Sequence, residues 1–113
     1  MGTEKRLGKI EKISMGIGGY QDAMIGLHTT LSGDSWWVCT DKTTWCPGIV
    51  DVTEDTKWTE LDRDASFSEI MRYIAELIIK AKVTSIENLV GIPVEVTFED
   101  NIIRSWRILE EVL

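Results

Sequence analysis

His28, Cys39 and Cys46 are the residues best suited to chemistry in this chain, which holds one histidine and two cysteines. Together they offer three soft ligands of the kind zinc takes. The C-x6-C spacing is not that of a common zinc site, however, and no fourth ligand stands nearby, so no metal is expected. A cysteine nucleophile needs an oriented base or a helix N-terminus to hold its thiolate, and neither is identifiable around Cys39. An ordinary strand histidine and small buried thiols are the preferred reading, with no catalytic residue and no cofactor. Gly16, Gly18 and Gly19 superficially resemble a phosphate loop. The Lys-Ser/Thr ending is missing and no helix follows, so a hairpin turn is preferred.

Two other groups of residues point to binding. The run DVTEDTKWTELDRD carries Asp51, Glu54, Asp55, Glu60, Asp62 and Asp64 against Lys57 and Arg63. As plain structure it is a solvated loop feeding a helix whose first turn favours acids, because the N-terminal end of the helix dipole is positive. As a site, Asp51, Glu54, Asp55 and Asp62 form an acidic surface for a basic groove on a protein partner. Trp36 and Trp37 are adjacent, so on a strand they face opposite sides and one lies outside the buried face. With Trp106 and the flanking Arg104 and Arg107 they form an alternative, ligand-binding set, in which indoles stack on a nucleotide and guanidinium groups contact it. The competing structural role for the arginines is pairing with Glu95 or Glu99 across a hairpin.

The elements that must position these residues follow from periodicity. Leu7 to Met15 and Ala23 to Leu31 read as strands joined by the glycine turn, the second with Ala23, Ile25, Leu27, Thr29 and Leu31 at period two. Ser32-Gly33-Asp34 signals another turn, and Ser35 to Thr40 supplies a third strand to complete a meander. Residues 41 to 58 read as irregular, anchored by Trp45 and Trp58, with a short strand open at Gly48 to Val52. Thr59 and Asp62 form a capping box with Asp in place of Glu, opening a helix from Thr59 to Lys82. Phe67, Ile70, Met71, Ile74, Leu77, Ile78 and Ala81 are its apolar stripe. A second cap at Thr84 or Ser85 starts one further helical turn, which Gly91 ends.

Gly91 to Leu113 reads as a hairpin in which Val94, Val96 and Phe98 share a face. A two-residue loop at Asp100-Asn101 sets Phe98 opposite Ile103 and Val94 opposite Arg107. A bulged three-residue loop sets Val96 opposite Trp106 and Val94 opposite Ile108, and is preferred because it matches apolar with apolar. The expected fold is α+β: one domain over residues 1–113, with a mainly antiparallel sheet of about five strands, an N-terminal meander plus a C-terminal hairpin, packed by one long amphipathic helix.

The chain is 113 residues long with a net charge of -7 and 43% hydrophobic residues, a composition ordinary for a soluble domain. Its acidity disfavours an extended nonspecific footprint on DNA or anionic lipid. No apolar stretch approaches the roughly 20 residues needed to span a bilayer, and no leader with an apolar core precedes the cysteines. A cytoplasmic protein with reduced thiols is expected.

The blocks GGYQDAMIGL at 18 to 27, KWTELDRDASF at 57 to 67 and GIPVEVTFEDNIIRSWRILEEVL at 91 to 113 resemble a family of short proteins of tailed phages and prophages. The likeness runs from about Gly8 onward. It departs between Leu31 and Val50, where Trp36, Trp37 and the two cysteines replace a glycine-rich aromatic segment. The family has no assigned activity, so the resemblance implies a setting, an infected or lysogenic bacterial host, and no reaction. Taken with the acidic segment, it leads to the expectation of a non-enzymatic accessory protein that binds and interferes with a host protein, plausibly in an anti-defence role. A sponge for a small nucleotide signal, built between subunits of a homo-oligomer, is the alternative. A single-stranded nucleic-acid accessory is the third, provided that Lys5, Arg6, Lys9 and Lys12 form a local basic strip.

Overall fold

The computed structural model describes residues 2–113. Five antiparallel strands form one sheet: β1 (Thr3–Gly18), β2 (Met24–Gly33), β3 (Trp36–Trp45), β4 (Pro93–Glu99) and β5 (Ile102–Ile108), in the order β3-β2-β1-β4-β5. One helix, α1 (Glu60–Ala81), packs on it, so the fold is α+β as expected. No helix among the described residues is long and apolar enough to cross a membrane.

β1 is central and longer than its apolar pattern suggests, because its two halves serve different neighbours. Thr3 to Lys9 pair with β4, while Lys9 to Gly18 pair with β2. A bulge at Glu11, between Ile10 and Lys12, joins the halves. By inserting one residue it lets Ile10 and Ile13, three apart, face the same core. The Ile10 amide donates to the Ile92 carbonyl and its carbonyl accepts from the Gly91 amide, which ties the start of the C-terminal hairpin to the bulge.

The glycines divide their work differently from the expected turn. Gly16 and Gly18 remain in β1, opposite Gly26 and Met24, and the reversal begins at Gly19 with φ 69°. β3 runs on through Asp41, Lys42, Thr43 and Thr44 to Trp45, where the local sequence predicts an irregular segment. These residues are polar because β3 is an edge strand whose inner face meets the polar flank of α1: Lys42 Nζ lies 3.6 Å from Glu69. Gly48 to Val52 forms no strand; the Ile49 and Val50 amides turn back to donate to the Cys46 carbonyl.

α1 starts where its capping box predicts. The Thr59 hydroxyl accepts from the Asp62 amide at 3.1 Å, and the Asp62 carboxylate accepts from the Thr59 amide at 2.9 Å. The helix ends at Lys82, whose φ of 60° directs its amide to the Ile78 and Ile79 carbonyls. Ile70, Ile74, Leu77 and Ala81 are buried against Ile10, Leu27, Leu31, Val94, Val96, Phe98 and Ile108. Met71 does not join them; it is 64% exposed. A single 3-10 turn, Ile86–Leu89, follows Ser85 and buries Leu89; the Ser85 side chain makes no capping hydrogen bond, and the Asn88 amide donates to the Ser85 carbonyl.

Trp36 shows why small residues recur beside large ones in this sheet. A Cβ on Gly33 would stand 2.3 Å from the Trp36 indole, and one on Gly8 would stand 2.8 Å from it and 2.3 Å from the Ser32 carbonyl. The indole therefore lies across β2 and β1 and meets Phe98 of β4 edge-on at 5.5 Å. One side chain thus spans three strand spacings.

The terminal hairpin combines both expected registers. Asp100 and Asn101 have φ of 53° and 66°, the pattern of a type I′ two-residue turn, and Phe98 pairs with Ile103. The ladder then shifts between Thr97 and Phe98, leaving Arg104 as the extra residue, and continues with Val96 opposite Trp106 and Val94 opposite Ile108. The bulge lies in the strand rather than in the loop. It is required because Ile103 and Trp106 are three residues apart yet both pack inward.

Candidate interaction surfaces

His28 is better held than its sequence context suggests. From the outer face of β2, away from α1, its imidazole lies over Gly18; Nε2 is 3.0 Å from the Gly16 carbonyl and Nδ1 3.4 Å from Asp41. A carboxylate is therefore near, on β3, at the register partner of His28. The Cys39 thiol lies elsewhere, in contact with the Thr30 hydroxyl at 3.6 Å. Cys46 is buried with its thiol toward the Pro47 carbonyl. Among the described residues, no three His, Cys, Asp or Glu side chains converge as metal ligands do.

The nucleotide set does not assemble in one copy. Trp36 and Trp37 are on edge strand β3, whereas Arg104, Trp106 and Arg107 are on the opposite edge strand β5. Trp36 points inward and Trp37 outward, 69% exposed. Arg104 pairs with Glu99 at 3.1 Å, and Arg107 bridges Glu95 and Glu111 at 3.1 and 2.9 Å. The hydrogen bonds to Arg107 hold the Glu111 carboxyl below its ordinary range. Half-buried Trp106 and Tyr73 of α1 both pack against the core, and burial pushes the Tyr73 phenol above its ordinary value.

Asp51, Glu54 and Asp55 are exposed in the segment before α1. Asp62 has a different role, since its carboxylate completes the capping box. Glu60 and Asp64 follow on the first turns of the helix, where Asp64 meets Arg63 at 3.2 Å.

A groove that periodicity does not reveal opens against the N-terminal half of α1. Met15, Ile25, Gly26, Phe67, Ile70 and Met71 line an apolar hollow of about 180 Å³ between the β1–β2 ladder and the N-terminal half of α1. Met15 is 48% exposed, and Ile17, one step on along the same face, 57%. Glu60, Asp64, Phe67 and Met71 stand at offsets of 4, 7 and 11 along α1, so the acids and the groove wall form one helical stripe. The sequence signal was the assignment of Met71 to a fully buried stripe. Met15 of β1 and Ile25 of β2 stand beside that methionine without closing over it.

A second hollow, near the hairpin tip, is lined by Gly2, Thr3, Glu4, Phe98, Asp100 and Asn101. Its Glu4 carboxylate is held by a bidentate contact with Arg6, both distances 3.0 Å, while the Arg6 guanidinium stacks on Phe98 at 4.8 Å.

Comparison with protein-family models, with curated proteins and with solved structures finds no match to this chain.

Proposed function

We propose that this chain is a non-enzymatic interaction protein that binds a basic, apolar-studded segment of a host protein in the groove between β1, β2 and α1. The observation that carries this reading is the exposed apolar hollow of Met15, Ile25, Phe67 and Met71 on the same helical stripe as Glu60 and Asp64. Exposed methionines suit a surface that must repack around a partner. Carboxylates at Asp51, Glu54, Asp55, Glu60 and Asp64 steer a basic segment toward it, and the net charge of -7 adds to that attraction. With the resemblance to short phage proteins, the reading becomes a cytoplasmic phage accessory that obstructs a host component, an anti-defence factor being the best candidate. A partner that ordinarily contacts nucleic acid carries the required basic residues.

The test is capture of a partner from host lysate, followed by binding of that purified partner to two variants. Met71→Arg should weaken binding at least tenfold by filling the groove with a repelling charge. The combined Asp51→Lys, Glu54→Lys and Asp55→Lys variant should slow association, with a smaller effect at high salt. Asp62 is left intact, because its reversal would uncap α1. A specific partner indifferent to both variants would remove the proposal.

A further inference from the structure

The face of the sheet opposite α1 carries a second, oppositely charged feature. By register, Lys5 lies opposite Thr97, Lys9 opposite Ser32 and Pro93, and Lys12 opposite Thr30. Ser32 and Thr30 alternate with inward-facing Leu31, and Thr97 lies between inward-facing Val96 and Phe98. All three lysines therefore project from the outer face, along the central strand. The bulge at Glu11 keeps Lys12 in line with Lys9 despite their odd spacing. Arg6 faces the other way, onto Phe98.

Charge pairing on this face is unequal. Glu95 and Glu111 share Arg107, Glu99 pairs with Arg104, and Asp41 faces the His28 imidazole at 3.4 Å. Among the described residues Lys5, Lys9 and Lys12 have no ion-pair partner, and Glu11, exposed at the bulge, is the nearby acid without one. Trp37, opposite Ser32 and thus in the same cross-strand row as Lys9, stands 69% exposed on the outer face. At the other end of the face Tyr20 meets Trp45 edge-on at 6.4 Å and is itself 67% exposed.

We infer that this open face binds single-stranded nucleic acid, with Lys5, Lys9 and Lys12 tracking the backbone and Trp37 stacking on a base. The strip is about 20 Å long at the rise of a strand, enough for several nucleotides. A single strand fits better than a duplex, because a flat aromatic beside a lysine row can stack only on an unpaired base. Hydroxyls of Ser14, Thr30 and Thr97, by register on the same face, supply neutral donors between the charges. The inference is independent of the groove on the α1 side.

Fluorescein-labelled dT15 and rU15, a 15-base-pair duplex and a poly-glutamate peptide are titrated by anisotropy at low salt. Single strands should bind best. Neutralising three phosphates predicts a log-log salt slope of about -2, or roughly 20-fold weaker binding between 50 and 200 mM salt. Trp37→Ala should weaken binding about five- to hundredfold and abolish quenching of tryptophan fluorescence by the oligonucleotide. The Lys5→Gln, Lys9→Gln, Lys12→Gln variant should lose binding while keeping its melting temperature, and Glu11→Gln should bind more tightly. Met71→Arg, in the groove, should leave binding within twofold. Absence of oligonucleotide binding by folded protein, equal affinity for poly-glutamate or duplex, or indifference to the lysine and Trp37 variants would overturn the inference.

Discussion

Gly8 illustrates how a single residue can hold several strands in place. It sits where the Trp36 indole and the Ser32 carbonyl both come within 3 Å of any Cβ, and the carbonyl belongs to backbone that cannot swing aside. Gly8→Ala should therefore destabilise the protein by about 1–3 kcal/mol, the usual cost of overpacking, as measured by urea denaturation. An unchanged midpoint would mean that Trp36 does not cross β1. Glu111 makes a different residue-scale prediction. Its carboxyl lies below the ordinary value of 4.5 because Arg107 binds the charged form. A carboxylate depressed in the folded state stabilises above its unfolded pKa, and that contribution disappears as pH falls through the folded value. The gap in melting temperature between the parent and Glu111→Gln should be steady at neutral pH and close below about pH 4.5. A gap that widens in acid would contradict the Arg107 contact.

At the scale of elements, the legible parts of the fold were those fixed by local chemistry. The cap of α1 was visible in Thr59 and Asp62 because a capping box is a contact between residues three apart. The polar run from Asp41 to Thr44 within β3 was not legible, since its partners are on β2 and α1 and no local pattern marks an edge strand. The groove was illegible for the same reason: Met71 has helical spacing for burial, and only the crossing of α1 over the sheet leaves it 64% exposed. The nearness of Asp41 to His28 depended on strand register, which pairs the two. The hairpin was half legible. Matching Val96 with Trp106 and Val94 with Ile108 followed from apolarity, yet the extra residue was placed in the loop, although the spacing of Ile103, Trp106 and Ile108 locates it at Arg104. Deleting Arg104 should consequently turn Trp106 and Ile108 outward or melt the turn, losing about 1.5–3 kcal/mol for each apolar side chain exposed. Arg104→Ala keeps the inserted residue and should stay close to the parent. Equal stability of deletion and parent in thermal melts would show that β5 tolerates either register.

The whole molecule is a slab, 48 × 37 × 20 Å, because a single helix covers one side of a five-stranded sheet and no layer covers the other. Its charge is divided by the same geometry. Acids gather before and along the start of α1, while lysines with no ion-pair partner among the described residues run down the middle strand on the far side. The net charge of -7 therefore conceals a local basic strip, and composition alone is a poor guide to what such a chain can touch. Two sites separated by the thickness of the slab and sharing no side chain should act independently, since effects at distant sites usually add to within about 0.3–0.5 kcal/mol. Once a host partner is purified, it should bind the protein with the same affinity whether or not the sheet face is saturated with dT15. Groove and lysine-strip variants combined should reproduce the sum of their separate effects on each ligand. Competition between partner and oligonucleotide would instead place both on one surface, and would require the acidic groove and the basic strip to be parts of a single site.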